Sequence, residues 1–303
     1  MTEARHGLLA VTAAAAAWGV APLFFKLLAH VPPFELVAHR VIWSAVIFCV
    51  VVVVQGRLSA LRALLRGRAG LRTLALAAAL MAVNWTLFIW AVFNGRATEA
   101  SLGYFIYPLL NVVLGVVVFG ERLRPVQWAA VLLVALAVGV LTLGLGAVPW
   151  VALTLAGSFA AYTLVKKRLD AGPVLSVTAE TVLMMPLALA YLAWVARGDA
   201  SGVTGAKDAA LLLLAGVVTA TPLIFMSYGV RRAPLSTAGL VFYLNPSLQF
   251  LLALLVFREP VGIWHAIAFP MIWAALALYS VSALRQDRAA RRRASSVATS
   301  GML

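Results

Sequence analysis

The 303-residue chain is 64% hydrophobic and only 11% charged, with a mean hydropathy of +1.00. Soluble domains are about half apolar and about a quarter charged, so a water-soluble fold is excluded and a lipid bilayer is the expected surrounding. The formal charge of +14 comes from 24 Lys plus Arg against 10 Asp plus Glu, and the basic residues lie in short loops between apolar runs, a pattern that orients membrane proteins and does not point to nucleic acid.

Ten apolar segments follow one another at 7–29, 34–54, 73–94, 99–119, 125–144, 149–165, 175–196, 208–229, 235–257 and 261–283. If each span takes about 20 residues, roughly 200 positions are used and about 100 remain for loops and tails. The first segment is longer than the apolar region of a signal peptide, and nine similar segments follow it, so it reads as the first transmembrane helix. The breaks carry turn and loop residues: Pro32-Pro33, the Arg57–Arg72 stretch, Asn94-Gly95, Glu121 to Pro125, Gly144 to Pro149, Lys166 to Pro173, Gly198 to Gly205, Arg231 to Pro234 and Arg258 to Pro260. Open sheets leave unpaired backbone groups in lipid, and runs such as Val46–Val54 lack the alternation of a barrel strand. The class predicted is all-α integral membrane.

Of the 24 Lys and Arg residues, 18 fall on one side of the expected topology, 4 on the other (Arg96, Arg197, Lys207, Arg258), and Lys26 and Arg40 lie within spans. This bias predicts an even number of crossings with both termini cytoplasmic. A shift of 138 residues aligns Ala100-Ser101-Leu102 with Ala238-Gly239-Leu240, Pro108 with Pro246, Leu114 with Leu252, Val118-Phe119 with Val256-Phe257 and Glu121 with Glu259. A shift of 140 pairs Ala21 with Ala161 and Lys26 with Lys166. Five helices per repeat is an odd number, which predicts oppositely oriented repeats and a substrate site near the midplane where they meet.

No zinc-protease motif, Walker A loop or nucleophile elbow occurs, and the four His residues (His6, His30, His39, His265) are scattered. The single Cys49 leaves no disulfide or Cys-based metal site within one chain. No catalytic group, metal or cofactor is therefore assigned. Six prolines lie within spans, at 22, 108, 186, 222, 246 and 270. Each removes a backbone donor and frees a carbonyl, read either as a packing kink or as a break facing a cavity, with Pro108 and Pro246 favoured for the second by their equivalent repeat positions.

Ionisable groups inside spans tend to face a cavity or a partner. Lys26 lies near the outer end of the first segment, where snorkelling to the interface is an alternative. Glu35 and His39, four apart, suit a solvated ion pair, while Arg40 lies deeper and is a candidate for a vestibule. Glu180 is the acid placed clearly inside a span. It is read either as a partner of Thr178 or Thr181 or as a protonatable coupling group near a cation such as Lys26 or Arg40, with Glu99 next in line for coupling. Asn84-Trp85, Tyr104, Tyr107, Asn111, Tyr243, Asn245 and Gln249 place polar and aromatic groups at mid-depth of the third, fourth and ninth segments, either for interhelical hydrogen bonding or around a polar cavity.

Several stretches resemble RarD-type proteins of the EamA family, within the drug/metabolite transporter superfamily. They are Gly19-Val-Ala-Pro-Leu-Phe-Phe-Lys26, His39-Arg-Val-Ile-Trp-Ser44, Asn84-Trp85, Phe88-Ile-Trp-Ala91, Glu99-Ala-Ser-Leu-Gly-Tyr-Phe105, Pro108-Leu-Leu-Asn111, Gly120-Glu-Arg122, Glu180-Thr181 and Leu235-Ser-Thr237. The resemblance runs from about Gly7 to Leu284 and implies ten transmembrane helices built as two inverted five-helix repeats in the bacterial inner membrane. It also implies that the fifth and tenth helices are mostly scaffold, with the first to fourth and sixth to ninth around the cavity. The expected units are 1–145 and 146–284, followed by a basic cytoplasmic tail at 285–303, expected to be disordered. The function expected is a secondary permease of a small metabolite or drug-like solute, working by alternating access. Lys26, Arg40, Asn84, Trp85, Tyr104, Asn111, Tyr243 and Gln249 are expected to line the cavity, and Glu180 to couple. Two cations against one acid within spans suit a carboxylate-bearing or zwitterionic solute. The alternatives are a passive channel, for which no ring of like charges or filter loop is seen, and a membrane-bound interaction protein with an Arg-rich tail.

Overall fold

The computed structural model describes residues 3–300 apart from 121, 122, 168, 170, 199, 200 and 234. In lipid every backbone N–H and C=O must find its partner within the chain, and the apolar runs accordingly fold as helices. In chain order these are α1 (Glu3–Lys26), α2 (Pro33–Val54), α3 (Leu58–Arg66), α4 (Arg68–Phe93), α5 (Ala97–Phe119), α6 (Pro125–Leu145), α7 (Trp150–Lys166), α8 (Pro173–Val195), α9 (Ala206–Gly229), α10 (Leu235–Phe242), α11 (Leu244–Leu255) and α12 (Ile263–Ser300). Among the described residues, nine helical stretches are long and apolar enough to cross a bilayer, one of them the combined run Thr237–Leu255. The sixth expected segment, α7, is a shorter apolar helix of 17 residues, about 25 Å long. Glu121, Arg122 and Arg168, used above for the repeat and for orientation, lie outside the described residues.

Two elements differ from expectation. The Arg57–Arg72 stretch, expected as a loop, contains α3 and the start of α4. The arginines hid an amphipathic pattern: Leu58, Leu61, Leu64 and Leu65 recur at helical spacing, and Leu61 is buried against Val52, Leu74 and Val174. The ninth segment is divided at Tyr243 into α10 and α11. Pro246 explains the place of the break, because its ring excludes the carbonyl four residues earlier, that of Phe242, where α10 ends. Helix α12 is continuous to Ser300, so the basic tail at 285–303, expected to be disordered, is helical as far as 300.

The principal helix contacts join the first half of the chain to the second: α1 with α9, α10 and α11, α2 with α8 and α9, α4 with α7 and α8, α5 with α7 and α11, and α6 with α12. If α1, α2, α4, α5 and α6 are matched in order to α7, α8, α9, the α10–α11 pair and α12, these pairings map onto one another. The α1–α9 contact answers α7–α4, α1–α11 answers α7–α5, and α2–α9 answers α8–α4. One apolar core, around Phe25, Leu36, Phe88, Ile89 and Leu155, joins α1, α2, α4 and α7. A second, around Phe105, Leu141, Phe250 and Phe269, fastens α6 and α12 to α5 and α11. Close approach depends on missing side chains: a Cβ on Gly103 of α5 would lie 2.7 Å from the Ala152 carbonyl oxygen of α7, and one on Gly229 of α9 would lie 2.6 Å from the Gly7 oxygen of α1.

Candidate functional site

A cavity of about 780 Å³ opens between α1, α5, α7, α9, α10, α11 and α12. Its wall is aromatic, with Trp18, Tyr104, Tyr107, Phe159, Phe242 and Tyr243, and its polar groups include Asn111, Thr163 and Lys167. Ring contacts stiffen it: Trp18 meets Phe242 edge-on at 5.8 Å, and Tyr107 lies 4.6 Å from Phe159. The Tyr107 hydroxyl shares a 3.1 Å hydrogen bond with Thr163. Both repeat-matched prolines, Pro108 and Pro246, line this cavity. On α5 the lining runs from Tyr104 to Gly115, about 17 Å of helix, and ends towards the basic loops that follow α5, α7 and α9. A volume of this size suits a small organic molecule.

The opposite end of the bundle is tied by carboxylates. Glu259 accepts backbone N–H bonds from Ala97 and Thr98, both at 2.7 Å, at the start of α5. Glu99 accepts from the Val151 N–H at 3.0 Å, near the start of α7, and Glu35 accepts from Ser201 Oγ at 2.7 Å and the Gly202 N–H at 2.9 Å. Asp208 takes the Thr204 N–H at 2.9 Å and meets His30 Nε2 at 3.0 Å. Glu35 is thus buried and engaged with the 198–205 loop instead of forming the solvated pair with His39 expected from their spacing. Glu99, the reserve coupling candidate, serves as a helix-start acceptor.

Of the eight expected lining residues, Tyr104, Asn111 and Tyr243 line the cavity. The other five are placed elsewhere, packed between helices. Asn84 of α4 is satisfied on both sides: its Nδ2 donates to the Leu155 carbonyl and to Ser158 Oγ of α7, each at 3.0 Å, and its Oδ1 accepts from the Tyr104 hydroxyl at 3.1 Å. Trp85 lies with its ring centroid 4.9 Å from the Arg40 guanidinium. Arg40 of α2 donates through Nε to Thr219 Oγ1 of α9 at 2.9 Å. Lys26 Nζ donates to the Val92 carbonyl at 3.1 Å, at the carboxylate-tied end. Gln249 Nε2 donates to Asn245 Oδ1 at 2.9 Å and to the Trp18 carbonyl at 3.4 Å, one step behind the wall. Helices α2, α4 and α8 therefore stand behind the lining, and α12 contributes Tyr279 and Ser280, a departure from the expected division into cavity helices and scaffold.

Glu180 sits in α8, 2% exposed, with a different set of partners from those expected. Lys166 Nζ donates to its Oε1 at 2.8 Å, and the Tyr162 hydroxyl donates to its Oε2 at 3.0 Å. Lys166 also donates to the Tyr162 oxygen at 2.8 Å, closing a triangle. Thr178 and Thr181 bond backward to the carbonyls of their own helix instead. Lys26 lies at the far end of α1, and α8 begins at Pro173 beside the basic loops, which places Glu180 in the half of the bundle that holds Lys166. By sequence Lys166 opens the expected break at Lys166 to Pro173, yet it closes α7. The 140-residue shift that relates Lys26 to Lys166 also relates Arg40 to Glu180, a signal that could have exposed the pair. The Phe159 ring stacks on Tyr162 at 5.9 Å and lines the cavity, so the triangle lies one ring behind the wall. Trp18, Thr163 and Phe242 were missed because single aromatic or hydroxyl residues in apolar helices carry no directional signal.

A helical multi-pass membrane protein with an aromatic-walled internal cavity is the class these features define. The model of the EamA-like transporter family matches residues 5–143 and again 147–281, and the chain belongs to that family. It is 43% identical over 293 residues to Protein RarD of Streptomyces exfoliatus, covering 96% of this chain and 93% of the relative. It is 40% identical to Protein RarD of Escherichia coli K12, over 94% of this chain and 97% of the relative, and 38% identical to the uncharacterized transporter YojE of Bacillus subtilis, over 95% and 98%. A crystal structure with 19% identity superposes with a TM-score of 0.60 over 91% of this chain and 97% of the other, a likeness of fold.

Proposed function

We propose that the protein is a secondary permease for a small amphipathic metabolite or drug-like solute in the bacterial cytoplasmic membrane. It works by alternating access between two inverted five-helix repeats that cross the membrane ten times, with both termini cytoplasmic. The observation that carries this reading is the contrast between the ends of the bundle: a cavity reaches mid-depth from the basic end, while buried carboxylates tie the other. With the basic loops inside, this is the inward-open form. The mutual mapping of helix contacts on exchanging the halves supports the two-fold relation, and the double family match supports the repeat. The aromatic wall suits a solute with a flat or apolar body.

Glu180 carries the coupling in this reading. With Tyr162 and Lys166 it forms a closed set of proton-exchanging groups behind Phe159, so gain or loss of one proton changes what holds α7 to α8. Solute screening by mass spectrometry on membrane vesicles with and without the protein tests the permease reading, which fails if no solute moves. In vesicles that do transport, Glu180→Gln should abolish pH-gradient-driven accumulation while leaving exchange intact; equal accumulation would make Glu180 structural. Cysteines placed at Thr163 and Ser280 in a Cys49→Ser background should react with an impermeant thiol reagent from the cytoplasmic side. Labelling from outside alone would reverse the assigned orientation.

A further inference from the structure

Arg40 is held as a structural arginine seldom is. It is 5% exposed, about two turns into α2, with the guanidinium 4.7 Å from the Phe25 ring centroid and 4.9 Å from that of Trp85. Nε is used by Thr219, whereas Nη1 is sealed from solvent without a hydrogen-bond partner. Among the described residues no carboxylate forms an ion pair with it. Guanidinium keeps its proton in proteins, so this is a standing positive charge in the interior. Aromatic faces offset part of the desolvation cost, and an oxyanion would offset much more through paired N–H bonds.

The repeat sharpens the contrast. The shift of 140 residues places Lys26 and Arg40 in the first half where Lys166 and Glu180 stand in the second. In the second half the partly buried cation and the buried acid neutralise each other at 2.8 Å. In the first half both positions are cationic, and Lys26 has a backbone carbonyl as its acceptor. The fold holds an anion on one side of its two-fold relation and lacks one on the other.

We propose that Arg40 recognises the carboxylate of the transported solute, whose apolar or aromatic body occupies the cavity. Tyr104 separates the two. It lines the cavity and packs on Phe88, which in turn packs on Phe25, the ring 4.7 Å from the guanidinium. One neutral hydrogen bond, to Asn84, holds the Tyr104 hydroxyl, and in the proposed complex this ring swings aside to join the cavity to the guanidinium. Thr219 fixes the Nε edge and leaves the Nη edge for a carboxylate fork. The assignment rests on the permease reading and names its substrate class.

The test uses the purified full-length protein and matched probes: indole-3-acetate, phenylacetate and 4-methylvalerate, each with its amide and its amine. At least one carboxylate should bind by calorimetry, with its amide and amine weaker by about tenfold or more. Arg40→Gln should erase that preference. Arg40→Lys, which keeps the charge but loses the fork, should weaken the carboxylate while still favouring it over the amine. Equal binding of acid and amide, an unchanged preference in Arg40→Gln, or no carboxylate bound by the parent protein would overturn the proposal. The parent's acid-to-amide ratio decides the matter even if Arg40→Gln does not fold. Uptake of the same probes into proteoliposomes separates the two readings. Carboxylate binding without movement leaves the Arg40 site and removes the permease; movement of amide or amine unaffected by Arg40→Gln leaves the permease and removes the site.

Discussion

The two ends of the bundle are built from opposite chemistry. At one end Glu35, Glu99, Asp208 and Glu259 each accept a backbone N–H, and three of them bridge segments more than fifty residues apart. At the other end the loops are rich in Arg and Lys, and among the described residues no carboxylate bonds a backbone N–H there. Helix starts present unpaired N–H donors and a positive dipole end, which an anion satisfies and a cation cannot. Among the described residues the basic end therefore has no carboxylate latch of this kind, and the cavity opens at that end.

Removing a latch should have the largest effect. Glu259→Ala deletes two charge-assisted bonds and leaves the start of α5 unsatisfied, at a cost of about 3 kcal/mol. It should lower the thermal midpoint in detergent and make a cysteine at Thr98 reactive from the carboxylate-tied side; an unreactive Thr98→Cys there would mean that the latch does not hold that end shut. Next comes the buried pair of the cavity half. Lys166→Met strands Glu180 and should cost about 2 kcal/mol, somewhat less than a fully buried pair because Lys166 is 18% exposed, and the double variant Lys166→Met/Glu180→Leu should recover most of it. A double variant no better than the single one would assign the loss to packing. Tyr104→Phe removes one neutral hydrogen bond at the inner end of the cavity, about 1 kcal/mol, and keeps the ring contacts with Phe88 and Phe159. Its melting curve should shift slightly while solute binding in the cavity persists. Arg96→Ala, at a largely exposed pair with Glu99, should change stability by less than about 0.5 kcal/mol, and a larger drop would show that this pair belongs to the latch.

Segment positions were legible because roughly twenty apolar residues in a row have one stable fate in lipid, and the break of the ninth segment follows from Pro246. The α3 helix escaped because its leucines are outnumbered by loop-like neighbours, and a short amphipathic helix shows itself by spacing rather than by mean hydropathy. Among candidate site residues, Tyr104, Asn111 and Tyr243 reach the cavity, whereas Asn84 directs both amide donors to α7 and accepts from Tyr104 of α5. A polar residue at mid-depth announces that it needs partners and leaves open whether a helix or a ligand supplies them.

The sequence by itself determined that this chain lives in a membrane as a helical protein, that its halves are related, and that its positive charge gathers on one side. Those are properties of composition, period and order along the chain, and they need no knowledge of which helix meets which. Tertiary structure alone decided that Lys166, four residues along the helix from Tyr162, closes on Glu180, and that Arg40 is left between two rings with a donor unused. Partner choice among buried charges turns on differences of a few ångströms between helices far apart in sequence. In a medium of low dielectric constant such differences separate a neutralised pair from a standing charge.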